Sequence, residues 1–301
     1  VFRSLNVCVP LTQRLLDAIG SHAGRPHLHL LHEGSETQVT VPMPMVCTLK
    51  ISASLIRWAN AGTDELDLRA LFDACPNLRH LSVSLKGFKT GCSLVTWRRG
   101  TTIVPFTYTK GKRLPLLESL SLRGYSIEPE EVSHWRDGFP WKSLKSLTLG
   151  PDSNKGFLKM IPGRLLSLKT FEISTWNPKS KCHKNKELDA FLLAFNTLET
   201  LTVTGYIPSN AAISNHRQLK HLLLHQIEQP DKPRGFLAVD DLRMLDEACP
   251  DLEQLELDIS QDQDGKWVKC YHIFIISAAN IASSPKISLM PSQKASAISA
   301  S

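Results

Sequence analysis

Leu117-Glu118-Ser119-Leu120-Ser121-Leu122 spells the hexad L-x-x-L-x-L, and the same phrase returns along most of the chain. Upstream it stands as Leu78-Arg79-His80-Leu81-Ser82-Val83, and downstream as Leu144-Lys145-Ser146-Leu147-Thr148-Leu149. Leu168-Lys169-Thr170-Phe171-Glu172-Ile173 and Leu198-Glu199-Thr200-Leu201-Thr202-Val203 follow. Leu219-Lys220-His221-Leu222-Leu223-Leu224 and Leu252-Glu253-Gln254-Leu255-Glu256-Leu257 complete the strong copies, and Val46-Cys47-Thr48-Leu49-Lys50-Ile51 is a looser one. From Val46 to Leu252 the hexads advance 206 residues in seven steps, a mean of about 29 with single steps between 21 and 39. Repetition at such a period marks stacked structural units rather than independent globular domains.

Strand geometry explains the phrase. Side chains alternate faces along a strand, so the last two apolar positions of a hexad share one face and the residues between them share the other. One short strand cannot bury its apolar side, but stacked strands make a continuous parallel sheet over a common core. The spacers supply an outer layer. Asp64–Ala74, Lys186–Phe195 and Val239–Ala248 carry apolar residues at helical spacing. Pro129-Glu130-Glu131-Val132 places proline and acids where a first helical turn favours them. Leu71-Phe72-Asp73-Ala74-Cys75-Pro76-Asn77-Leu78 is repeated almost in full by Leu245-Asp246-Glu247-Ala248-Cys249-Pro250-Asp251-Leu252. Each copy reads as a helix end, a proline stop and the next strand, which makes Cys75 and Cys249 buried helix-end residues. Leu122-Arg123-Gly124-Tyr125 is matched in the same way by Val203-Thr204-Gly205-Tyr206.

Residues 46–258 resemble the leucine-rich-repeat family, and the uneven steps with the A-C-P-[ND]-L-x-x-L phrase are most similar to fungal F-box/leucine-rich-repeat proteins. The resemblance implies an α/β fold, an irregular leucine-rich-repeat solenoid with a parallel sheet on the concave side and helices and loops outside. It also implies the substrate-recognition part of a cullin-RING ubiquitin ligase, joined to the Skp1 adaptor by an F-box. No segment of this chain reads as an F-box, and Val9–Leu16 matches poorly, so that element is expected upstream of Val1. The asparagine or cysteine of the family ladder is also missing; Tyr125 and Tyr206 occupy its place in two repeats.

The expected organisation is a cap or remnant repeat over 1–45, with Leu11–Ile19 helical, repeats over 46–260, and a final segment over 261–301. In that last segment Val268–Ser277 reads as a strand or cap, and the acid-free Ala/Ser-rich stretch from Ala278 reads as disordered. With 42% hydrophobic and 21% charged residues, the 301-residue chain has ample core material. No apolar run reaches the length of a membrane-spanning helix. Seven scattered cysteines without a C-x-x-C pair, and no N-x-S/T sequon, point to a reducing compartment, cytoplasm or nucleus.

The register selects a candidate protein-binding surface from the strand residues that alternate with the buried ones. It comprises His80, Ser82, Ser119, Ser121, Arg123, Ser146, Thr148, Thr170, Glu172, Thr200, Thr202, His221, Leu223, His225, Gln254 and Glu256. Thr48, Lys50, Ser84, Ser174, Thr204 and Asp258 extend it. Its middle is rich in hydroxyls and its C-terminal end is acidic, which suits partner binding and equally a plain solvated strand face.

The net charge of +6 is concentrated in two spacers. From Lys86 to Leu117 stand seven basic residues and no acid, interleaved with Phe88, Trp97, Phe106 and Tyr108, and a second cluster holds Lys179, Lys181, Lys184 and Lys186. Nucleic-acid binding through residues 86–113 is a weaker reading than a solvated insertion. His27, His29 and His32 lack nearby carboxylates or thiols, and alternation makes His27 and His29 the polar face of an apolar strand rather than metal ligands. Cys182-His183 has no third orienting group. No catalytic, cofactor or metal motif emerges, so the expectation is a monomeric binding protein, not an enzyme, with a protein substrate or scaffold partner. A leucine-rich-repeat scaffold without a ubiquitin link remains the alternative.

Overall fold

In the computed structural model, residues 4–7, 27–32, 42–54, 72–86, 114–125, 127, 131–150, 154–175, 186–226 and 239–257 are described, with positions 14, 17, 18 and 21 besides. The strands are β1 Ser4–Val7, β2 His27–His32, β3 Thr48–Ser54, β4 His80–Lys86 and β5 Ser119–Arg123. After them come β6 Ser146–Leu149, β7 Thr170–Ser174, β8 Thr200–Thr204, β9 His221–His225 and β10 Gln254–Leu257. They form one ten-stranded sheet in strict chain order, and every neighbouring pair is parallel. The architecture is α/β, an open parallel sheet with few and short helices, a solenoid-like repeat.

Each hexad enters its strand at the third position. Leu120 pairs with Leu147 and Leu122 with Leu149, so like positions of successive hexads stand side by side. Three apolar columns result. The first-position column runs Val46, Leu78, Leu117, Leu144, Leu168, Leu198, Leu219 and Leu252, all buried. The fourth and sixth positions are buried in the same way, except Leu257, which is partly buried at the end of the array. Full burial of one such side chain stabilises by about 1.5–3 kcal/mol, so the columns dominate the core.

A fourth column lies three residues before each first leucine: Met43, Cys75, Leu114, Trp141, Leu165, Phe195, His216 and Cys249, all buried. At several repeats its carbonyl accepts the leucine N–H and closes the turn into the strand, as at Cys75–Leu78 (3.1 Å), His216–Leu219 (3.0 Å) and Cys249–Leu252 (3.1 Å). The position demands burial and a tight turn but no single residue type.

Helices described from end to end are α1 Val132–Gly138, α2 Asn154–Met160, α3 Lys186–Leu193, α4 Asn210–Ser214 and α5 Val239–Ala248, with a 3-10 turn at Trp141–Ser143. Each packs on the next, and Trp135, Phe157, Leu188, Ile213 and Leu245 carry them into the core on the leucine face. The helix expected over Lys186–Phe195 ends at Leu193, and that over Val239–Ala248 forms throughout. Of the stretch 64–74, the described part, Phe72–Ala74, is helical. Ser209 caps α4 by accepting the Ala212 N–H, and Asp189 accepts the Ser209 N–H at 3.0 Å, tying α3 to α4. Asn210 donates to Asp241 and ties α4 to α5.

Gly124 and Gly205 leave their strands at φ 75° and 111°, a left-handed conformation that disfavours side chains. The turn sends Tyr125 into the core, where its hydroxyl donates to the buried Glu131 at 2.6 Å beside Trp135. Trp135, Phe139, Trp141 and Phe157 pack around it with centroids 4.2–6.4 Å apart. An aromatic plug thus fills the interior behind β5 and β6. β1 and β2 fall within residues 1–45 and join the same sheet. The basic stretch 87–113, the lysines at 179, 181 and 184, Cys182-His183, Asp258 and everything over 258–301 lie outside the described residues.

Candidate functional site

The side of the sheet away from the helices is polar, and its register sorts the residues into rows. One row runs Thr48, His80, Ser119, Ser146, Thr170, Thr200, His221 and Gln254. The next runs Lys50, Ser82, Ser121, Thr148, Glu172, Thr202, Leu223 and Glu256. Ser84 pairs with Arg123 and Ser174 with Thr204 and then His225, in a third row. All sixteen residues selected from sequence therefore lie on one face, half-buried or exposed.

Gly150 interrupts the third row. A Cβ there would meet Arg123 Cα at 2.9 Å and the Gly124 nitrogen at 3.3 Å, and its N–H is bonded to the Leu122 carbonyl at 2.7 Å. The missing side chain leaves room across β6, and Arg123 reaches over it to Glu172 on β7, Nη2 to Oε1 at 2.7 Å. Thr148 adds a hydroxyl to the second carboxylate oxygen at 3.3 Å. Both charged side chains are about half exposed (55% and 43%), so the pair organises the face more than it stabilises the fold. At the far end Gln254 donates to Glu256 at 2.6 Å.

Histidines punctuate the face at His80, His221 and His225, and the buried Nδ1 of His221 has no hydrogen-bond partner. Behind the sheet, His216 is fully buried against Phe195 at 5.2 Å between ring centroids, and neither ring nitrogen is hydrogen-bonded. Desolvation lowers its pKa to about 4, against a smaller opposing pull from the Leu192 backbone carbonyl, which lies near the ring without meeting hydrogen-bond geometry.

A feature absent from the sequence-derived set runs along the edge where the strands begin. The second hexad positions form a charged ladder: Arg79, Glu118, Lys145, Lys169, Glu199, Lys220 and Glu253. Glu118 is held between Arg79 at 3.1 Å and Lys145 at 2.8 Å, and Lys169 meets Glu199 at 2.6 Å. Lys145 above all, then Arg79 and His80, keep the Glu118 carboxyl below its ordinary range, and Lys169 with Lys220 does the same for Glu199. Beneath the ladder each second-position carbonyl from Cys47 to Lys220 accepts two N–H groups of the next repeat, as Glu118 does from Lys145 (2.8 Å) and Ser146 (3.0 Å). The signal is present in the hexads as a charged residue, of either sign, at the second position of seven copies.

A cleft of about 370 Å³ opens near this edge between Pro44, Met45, Cys47, Pro76, Arg79 and the exposed Leu116. Burial pushes the Cys75 thiol up to about 12 and raises Cys249, so neither is a nucleophile at neutral pH. Among the described residues no group of three or more His, Cys, Asp or Glu could hold a metal ion. Among them, too, no helix is long and apolar enough to cross a membrane. The polar face of the described strands offers a broad hydrogen-bonding surface.

No family model matches the chain. No curated protein matches it either. Among solved structures it is similar to a Bacteroides fragilis protein, with 13% identity and a TM-score of 0.47 over 85% of this chain and 76% of that one. So loose a likeness carries no functional argument.

Proposed function

We propose that the chain is the partner-recognition array of a leucine-rich-repeat protein of the fungal F-box type, the substrate-recognition part of a ubiquitin-ligase receptor. The observation that carries the reading is the long polar face. The described helices all pack on the leucine side of the ten-stranded sheet, which leaves rows of hydroxyl, amide and charged groups open on the other. Rigid repeat arrays bind proteins along such surfaces because their contact groups are already ordered before the partner arrives. The hexads support the leucine-rich-repeat assignment. The two A-C-P-[ND]-L phrases, at Ala74–Leu78 and Ala248–Leu252, support the F-box branch by resemblance.

In this reading the chain binds and does not catalyse. It acts as a monomer in the cytoplasm or nucleus, and an F-box upstream of Val1 recruits the Skp1 adaptor and a cullin. Co-purification of the full-length gene product tests it. Skp1 and cullin should appear with the intact product and vanish when the upstream F-box is deleted. An intact upstream reading frame with no F-box, and no bound Skp1, would leave a leucine-rich-repeat scaffold without a ubiquitin link.

A further inference from the structure

The charges on the polar face are sorted along the array. Lys50 is exposed on β3, near one end. Arg123 on β5 and Glu172 on β7 neutralise each other at 2.7 Å in the middle. Glu256 stands on β10, at the other end. The described positions between them are chiefly uncharged hydroxyls, with histidines at β4 and β9. With the central pair cancelled, the face is a dipole, cationic at β3 and anionic at β10.

Seven strand spacings separate those ends, about 34 Å at roughly 4.8 Å each. An extended chain covers that distance in about ten residues, at some 3.3 Å per residue. Serine and threonine hydroxyls both donate and accept, so they match the free N–H and C=O groups of an extended backbone, which a helix would hide. Opposite charges at the two ends set the orientation and reject segments of the wrong pattern.

We propose that this face holds an extended segment of a partner protein, laid across the strands, with an acidic residue over Lys50 and a basic residue about ten positions away over Glu256. The proposal rests on the partner-binding reading above and names the chemistry of its ligand.

The test is selection of random 12-residue displayed peptides on the full chain and on two variants, Lys50→Glu at an exposed site and Glu256→Lys at a half-buried one. The wild type should enrich peptides with an acid at one end and a base at the other. Lys50→Glu should enrich peptides basic at both ends, and Glu256→Lys peptides acidic at both ends. A synthetic wild-type-selected peptide should lose about fivefold in affinity with either variant. Matching melting curves for all three chains would establish that the variants fold. Enriched charges that do not follow the variants would overturn the proposal. In that event Thr202→Trp, which fills the middle row of the face on β8, separates the two readings. Loss of those peptides would leave partner binding at the face standing, and their retention, or no enrichment at all, would overturn both.

Discussion

His216 occupies a core column whose other members are apolar or weakly polar, and replacing it by leucine has a calculable effect. The imidazole is fully buried with both nitrogens unbonded. An unsatisfied buried polar group of this kind costs about 1–3 kcal/mol. Leu114 and Leu165 fill the same position in other repeats, so His216→Leu should raise stability by about 1 kcal/mol at pH 7.5.

The larger effect appears on acidification. Desolvation lowers the folded-state pKa from 6.5 to about 4, so the unfolded chain binds a proton first. Stability is therefore unaffected above pH 6.5, falls as pH drops from 6.5 towards 4, and levels off below. At 1.36 kcal/mol per pH unit, the wild type should lose about 2 kcal/mol at pH 5 that His216→Leu keeps. The nearby Cys249 thiol, which donates to the His216 carbonyl at 3.6 Å, stays protonated throughout and adds nothing to the difference. Urea titrations at pH 7.5, 6 and 5, followed by tryptophan fluorescence, measure it. Identical pH dependence in the two proteins would refute the buried, unpaired imidazole.

The columns and the face yield three further expectations. Leu201→Ala removes a fully buried side chain from within the fourth-position column and should cost about 3 kcal/mol in the same urea assay. Gly150→Ala drives a Cβ against Arg123 Cα, which is backbone and cannot rotate away, so it should cost about 1–3 kcal/mol although it adds one methyl group. Brief labelling of the folded chain with iodoacetamide at pH 8, read by peptide mass spectrometry, should modify the half-buried Cys47 well before Cys75 and Cys249.

The hexads made β3–β10 legible because a period-two alternation leaves one possible register once a face is buried. The same alternation placed His80 through Glu256 on one side of the sheet. β1 is different: Ser4-Leu5-Asn6-Val7 has the paired apolar residues but no leading leucine to announce them. Helices α2 and α4, seven and five residues long, are too short for a helical period to show. The column from Met43 to Cys249 escaped because tertiary burial, not residue type, defines it. Arg123 was selected, but its bond to Glu172 depends on the gap that Gly150 leaves across an intervening strand, which no linear pattern contains. Tyr125 stands in sequence where a ladder residue is missing, but its role comes from Glu131 and the cluster of Trp135, Phe139, Trp141 and Phe157, which only folding brings together.

Photo-crosslinking from single positions tests partner recognition at the polar face most directly. A photoreactive residue at Thr202, in the middle row of the face on β8, is compared with one at the exposed Ala211 on α4. The account predicts that Thr202 captures the bound partner and Ala211 does not. Capture from Ala211 with none from Thr202 would contradict it.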